Sequence, residues 1–288
     1  MTLASTGPFA TAEGAELLAT TAEACGLESL WAVEHVVIPD GYQSLYPYND
    51  SGRIPGADDI DIPDPLIWLT YAAALTKEIR LATGILIVPQ RNPVVLAKAC
   101  ATLDKLSNGR FDLGIGVGWL EEEFTALGLP FDDRGRRTDD YVAAMRSLWN
   151  DDRATYDGEF ASFNASISRP QPVQAGGVPI IVGGHSKAAA RRAGRTGDGF
   201  FPISASDEEL AGVLELMRAT ATEHGRDPDA IEISLGSWSP RKDSLDKVRE
   251  LADLGVGRLV ILPPTHNLDK LPEAMEQLGE QLAPVASR

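Results

Sequence analysis

From residue 179 the chain reads PIIVGG (179–184), SKAAARRAGR (186–195), GDGFFPI (197–203), DEELAGVLELMRATATEH (207–224), IEISLG (231–236), SLDKVRELADLG (244–255) and GRLVILP (257–263). Short apolar runs closed by glycine or proline alternate here with stretches of helical period. That alternation builds parallel strands joined by crossover helices. The pattern extends back toward the N-terminus. RFDLGIGVG (110–118) reads as a strand ending in glycines, IRLATGILIV (79–88) as an apolar run of the kind found in parallel strands covered on both faces, and SLWAVEHVV (29–37) as a β-rich run. Helices are expected at 65–75, 93–107, 136–149 and 268–282, and at 11–26, where Leu17, Leu18, Thr21 and Ala24 share a face and Gly26 is the stop. Asp157 and Gly158 mark a small hairpin turn.

Seven strands, each followed by a helix, require a parallel sheet, and right-handed βαβ units repeated over this length close most naturally as a (β/α)8 TIM barrel. The chain is expected to form one such domain over 1–288, with loop insertions. The remaining strand should precede the first helix, where only Thr2, Leu3 and Ala4 are at hand. The first strand is therefore short or truncated: either residues 1–4 fill its slot minimally or the natural start lies upstream. An open doubly wound sheet is the competing fold.

The 288 residues are 43% hydrophobic, and 26 Lys and Arg face 42 Asp and Glu for a net charge of −16. Such a surface repels polyanions, so neither nucleic acid nor a membrane surface is an expected partner. An anionic ligand would need a local basic pocket. Cys25 and Cys100 have no metal or redox spacing and read as idle thiols in a reducing compartment. No long apolar run or secretory leader is evident, and a cytoplasmic location is expected.

In a barrel of this kind the chemistry lies where strands run into loops at the C-terminal face. Four strand ends stand out. Glu34 and His35 close the first run and open the longest loop, 38–65, whose Pro, Gly, Asp and Tyr show no periodicity. On position alone a lone histidine is more often a satisfied structural residue, and its place at the start of the longest loop raises the functional reading. Thr83, Gly84 and Ile85 place a glycine inside a strand, as a barrel corner or a close approach would. GIGVGW, with Gly114, Gly116 and Gly118, has the wrong spacing for a dinucleotide fingerprint, and Glu121, Glu122 and Glu123 follow it. Those acids suit a helix N-terminus and solvent, or could hold one acid or base. Gly183, Gly184, His185 and Ser186 lead into a helix carrying Lys187, Arg191 and Arg192, which is either a glycine-lined anion site or a tight turn with a solvated basic face. The four histidines show no metal-binding spacing, so no metal is expected. Tyr42, Tyr46, Tyr48 and Trp68 could line a pocket or pin the long loop.

Three blocks in this order, GLESLWAVEHVVIPDGYQSLYPYNDSGRIPG (26–56), DPLIW through DRGRRTDDY (64–141) and PIIVGG through GFFP (179–202), resemble the luciferase-like monooxygenase superfamily, in particular its actinobacterial branch of coenzyme F420-dependent oxidoreductases. The resemblance implies a (β/α)8 barrel, usually homodimeric, that binds a flavin or deazaflavin at the C-terminal face. It implies a non-prolyl cis peptide at Gly84-Ile85 behind the ring, His35 beside the ring, Val117 and Gly118 on the neighbouring strand, and Gly183, Gly184, His185 and Ser186 around the phosphate. Sugar-phosphate dehydrogenases of the superfamily carry a catalytic glutamate where this chain has Trp119, which argues against a sugar-phosphate substrate.

The expected activity is hydride transfer between the deazaflavin C5 of F420 and a small, planar or apolar organic substrate, with His35 in the protonic role because imidazole exchanges protons near neutrality. Tyr46, Trp68 and Trp119 are the expected substrate pocket, and Arg91, Arg134, Arg136, Arg137, Lys187, Arg191 and Arg192 are candidates to meet the cofactor's acidic tail. An FMN-dependent monooxygenase is the alternative. A non-catalytic F420- or flavin-binding protein is a further one.

Overall fold

The computed structural model describes residues 1, 3–48, 51–54, 59–203, 206–236 and 245–286. The chain alternates strand and helix: α1 (Ala12–Ala24), β1 (Ser29–Ala32), α2 (Pro65–Leu75), β2 (Arg80–Thr83), β3 (Leu86–Ile87), α3 (Pro93–Leu106), β4 (Phe111–Gly116), α4 (Glu121–Ala126) and α5 (Arg134–Asn150). A hairpin, β5 (Ala154–Asp157) and β6 (Ser162–Ser166), interrupts the alternation where the Asp157-Gly158 turn was expected. It resumes with β7 (Ile180–Gly183), α6 (Lys187–Thr196), β8 (Gly199–Phe201), α7 (Asp207–Glu223), β9 (Glu232–Leu235), α8 (Leu245–Asp253), β10 (Val256–Leu259) and α9 (Leu271–Ala286).

The parallel strands lie in the order β1-β2-β4-β7-β8-β9-β10, and β3 continues the line of β2 against β4. Each barrel strand thus lies beside its sequence neighbour and the order never reverses. A doubly wound sheet needs such a reversal, so the winding is that of a TIM barrel. The short first strand is also accounted for. The edge of β1 that faces away from β2 is bonded by Met1 and Ala4: Trp31 N–H donates to Met1 O at 2.7 Å, Ala4 N–H to Trp31 O at 3.3 Å, and the Met1 amine to Ser29 O.

Local chemistry sets the helix starts. Asp64 accepts from Leu66 N–H and Ile67 N–H ahead of α2, Asn92 accepts from Val94 N–H and Val95 N–H ahead of α3, and Ser186 accepts from Ala189 N–H ahead of α6. These caps satisfy donors that have no intrahelical acceptor. Two expectations need correction. The buried face of α1 is Ala15, Leu18, Ala19 and Ala22, with Ala24 exposed, because small residues let this helix sit close to its neighbours. The last helix proper begins at Leu271, preceded by a 3-10 turn over Leu268–Lys270 that Asn267 caps.

The main core lies between sheet and helices, whereas Trp31, Ala82, Ile181 and Phe201 of four strands and Val260, which follows β10, form a second cluster, with Ile85 packed against it. Below that cluster, at the N-terminal ends of the strands, Arg80 pairs with Asp112, and Arg258 pairs with Glu28 and Glu232.

Candidate active site

A cavity of about 750 Å³ opens above the inner cluster, over the C-terminal ends of β1, β2, β4, β7 and β8. Its floor is set by Ile85, which follows the cis peptide between Gly84 and Ile85. The Ile85 side chain lies between β4 and β7, and a Cβ at Gly116 or Gly183 would overlap it. Gly118 has φ +81° and lies against Phe124. The glycines of GIGVGW are thus spent on packing and chain direction, so the run is no phosphate cradle.

The expected residues His35, Gly84, Ile85, Val117, Gly118, Gly183, Gly184, His185, Ser186, Tyr46 and Trp119 all line this cavity. Trp68 does not. It is buried in the main core with its indole N–H donating to Phe9 O at 2.8 Å, because its place on α2 falls on the buried face of that helix. What separates Trp68 from the other aromatics is helix phase.

One end of the cavity is aromatic. Trp119 stands edge-on to His35, Tyr42 and Tyr46 at ring separations of 5.9, 5.7 and 5.3 Å, Tyr46 meets Tyr48 at 5.2 Å, and Tyr48 reaches His185 at 5.3 Å. The long loop after β1 therefore runs as an aromatic strap between the two histidines. Leu3, Val33, Ile54, Ile60 and Ile62 add an apolar lining.

Carboxylates hold this strap in place. Glu34 is buried at the end of β1, accepts from Ile87 N–H at 2.5 Å and from Arg91 Nε at 2.9 Å, and Arg91 also pairs with Asp64. Burial pushes the Glu34 carboxyl up, against the pull of Arg91. Glu123 is fully buried: one oxygen accepts from Val36 N–H at 2.6 Å and Val37 N–H at 3.2 Å, and the other lies 3.2 Å from His35 Nδ1. Burial alone would raise its carboxyl, but the hydrogen bond and charge interaction with His35, the Gln90 side chain and the Val37 backbone donor outweigh it and hold it low. Glu122 accepts from Gln43 N–H, Ser44 N–H and Ser44 Oγ at 2.6, 3.1 and 2.7 Å; burial is again outweighed, and its carboxyl is pulled down to about 2. Two of the three acids expected to serve the helix N-terminus and solvent, or to hold one acid or base, are loop anchors. Each works across about 80 residues or more of chain, which no local pattern signals.

The other end is made of backbone and basic side chains. Residues 183–186 turn from β7 into α6, Gly184 with φ +107°, and the first N–H groups of α6 have no intrahelical acceptor. Arg134 and Arg192 line this end. Arg134 donates to Gly118 O and Phe131 O and lies over the Phe131 ring at 3.7 Å, without a carboxylate partner among the described residues. Arg192 pairs with Asp139 at 2.5 Å. Of the cations expected to meet an acidic tail, Arg91, Arg136, Arg137 and Arg192 are already committed, to Glu34 and Asp64, Glu159, Asp133 and Asp139. Burial beside a carboxylate costs less than burial alone, so arginines near the sheet find partners. Lys187 and Arg191 stay exposed at the head of α6, with no ion pair among the described residues.

The match to known proteins agrees with this geometry. Residues 3–283 fit the family model described as luciferase-like monooxygenase, and the chain belongs to that family. It is 32% identical over 268 residues to an uncharacterized protein of Mycobacterium tuberculosis, covering 92% of each chain. It is 31% identical to an F420-dependent glucose-6-phosphate dehydrogenase of Kineococcus radiotolerans, over 83% of this chain and 68% of that protein. It is 30% identical to an FMNH2-dependent dimethylsulfone monooxygenase of Pseudomonas putida, over 61% of this chain and 48% of that protein. Among solved structures, an F420-dependent secondary alcohol dehydrogenase in complex with an F420-acetone adduct superposes with a TM-score of 0.75 at 19% identity, covering 95% and 94% of the two chains, which bears on fold alone. The relatives of named activity include F420-dependent dehydrogenases and an FMNH2-dependent monooxygenase. No helix among the described residues is long and apolar enough to cross a membrane.

Proposed function

We propose that this chain is a coenzyme F420-dependent oxidoreductase that moves hydride to or from a small, planar or apolar organic substrate. The observation that carries this reading is the division of the cavity into a backbone-lined basic end and an aromatic, apolar end, with Ile85 between them. The residues fit the cofactor. The turn at Gly183, Gly184, His185 and Ser186, with Arg134 beside it, suits a phosphate. Lys187 and Arg191 just outside suit an acidic tail. Gly84, Ile85, Val117 and Gly118 would support the ring, with His35 beside it. The bound deazaflavin would supply hydride chemistry at its C5. His35 would give or take the accompanying proton, while Tyr46 and Trp119 would cover the substrate and exclude water. An indole at 119 offers no carboxylate, which favours a neutral organic molecule over a sugar phosphate.

The same turn suits the phosphate of FMN, and the likeness to an FMNH2-dependent monooxygenase supports that as the second reading. Titrating the purified protein with F420 and with FMN decides between them. Tight F420 binding that weakens as salt screens the tail is the expected result. Tight FMN binding without F420 binding would overturn the first reading. Tight F420 binding with no hydride transfer to a broad panel of enones, imines, nitro compounds and alcohols would instead indicate a non-catalytic binding protein.

A homodimer is part of this reading. The helix α2, PLIWLTYAAAL, is apolar all round, and it exposes Ile67 and Tyr71 beside the exposed Val94 and Val95 of α3. A cytoplasmic location fits the free thiols Cys25 and Cys100. Sedimentation velocity tests the dimer.

A further inference from the structure

We infer that Glu123 is a positioning residue that keeps the proton of the neutral His35 ring on Nδ1 and thereby presents Nε2 to the cavity as a proton acceptor. The inference rests on the reading of His35 as the proton-handling group, but it concerns the resting protein and requires no cofactor.

The two oxygens of Glu123 have separate tasks. Oε1 takes Val36 N–H and Val37 N–H, and Oε2 faces His35 Nδ1. An ionised carboxylate only accepts, so the hydrogen between Glu123 and His35 belongs to Nδ1. Two backbone donors on Oε1 prevent the carboxylate from turning away. The ring is held as well: the His35 side chain is 12% exposed and meets the edge of Trp119, which Tyr42 and Tyr46 hold from its other sides. No described protein group bonds Nε2. A neutral imidazole protonated at Nδ1 carries its lone pair on Nε2, on a residue that lines the cavity.

The chemistry then balances without another protein group. Were a substrate alcohol oxidised here, Nε2 would take the proton of its O–H bond and a bound deazaflavin would supply the hydride acceptor. The resulting imidazolium would lie against the Glu123 carboxylate, which would stabilise it. In reduction the imidazolium would return the proton to the oxygen.

Glu123→Gln tests this with nearly unchanged shape. The carboxamide oxygen must stay with the two backbone donors, which turns its NH2 toward His35 Nδ1. That nitrogen must then accept, and the proton moves to Nε2. The readout is 15N–1H NMR of protein labelled in its histidine rings, free of cofactor, at a pH high enough for the ring to be neutral. We expect the protonated and unprotonated nitrogen signals of His35 to exchange places between wild type and Glu123→Gln. Glu122→Gln, which alters only the anchor at Gln43 and Ser44, should leave the wild-type tautomer. A wild-type proton on Nε2, an unchanged tautomer in Glu123→Gln, or an equal change in Glu122→Gln would each overturn the inference. If Glu123→Gln does not fold, a wild-type proton on Nε2 or a changed tautomer in Glu122→Gln would still overturn the inference. Failure of F420 to bind would leave these spectra standing, and a wrong tautomer would leave the binding isotherm standing, so the two readings fail separately.

Discussion

The two ends of the barrel interior are built on opposite principles. At the N-terminal ends of the strands the interior is filled with charge: Arg80 holds Asp112 with two nitrogens, and Arg258 lies between Glu28 and Glu232 with its guanidinium 5.7 Å from the Trp31 ring. At the C-terminal ends it is emptied by glycine, and the space left by Gly116 and Gly183 admits one side chain, Ile85, and the cavity above it. Long side chains below satisfy one another and need no ligand. Above, backbone and a strap of rings leave hydrogen-bonding capacity unspent. One barrel thus separates what keeps it folded from what it does, as TIM-barrel enzymes generally do.

That separation can be broken from either side. The largest effect is expected at the top, where His35→Ala should cut hydride-transfer turnover by about 10²- to 10⁴-fold, the usual scale of general acid–base catalysis. Cofactor affinity should stay largely in place while the melting temperature falls, because buried Glu123 loses its His35 partner, and a turnover equal to wild type in the folded variant would remove His35 from the mechanism. At the bottom, Asp112→Ala leaves the Arg80 guanidinium partly buried without its bidentate partner and should cost about 3 kcal/mol of stability. Urea unfolding would read this loss. Cofactor binding by the folded variant should be unaltered, and a weakened affinity would show that the ends are coupled.

The smallest effect sharpens the comparison within the top itself. The Glu122 carboxyl is held at about 2, below its usual 4.5, so its anchoring of the loop is complete above the ordinary carboxylate range and is lost as pH falls from there toward about 2. Hydrogen exchange should show Gln43 and Ser44 amides losing protection in that window. Glu122→Gln should lower their protection at neutral pH by about fivefold, the scale of one hydrogen bond, with the strand amides unaffected. Loss across the whole barrel would mean that the strap is part of the fold.

Much of this was legible beforehand. All seven barrel strands announced themselves as apolar runs, the glycine turn at Gly183 and Gly184 was visible as a strand breaking into a helix, and His35 stood at the mouth of the longest loop. The cis peptide at Gly84-Ile85 was reached through family resemblance, and the structure contains it. The errors have one origin. Trp68 resembled Tyr46 and Trp119 as a residue type but lies on the inner face of α2. Arg91 and Arg192 resembled Lys187 and Arg191 but are already paired.

The sequence by itself determined the winding of this protein and the set of residues at its strand ends, because hydrophobic period, caps and glycine breaks are written over a few neighbouring positions. Only the tertiary structure decided which of those residues are free to act. Glu123 meets His35 across 88 positions of chain, and no period in the sequence encodes a partnership that the register of the parallel strands creates.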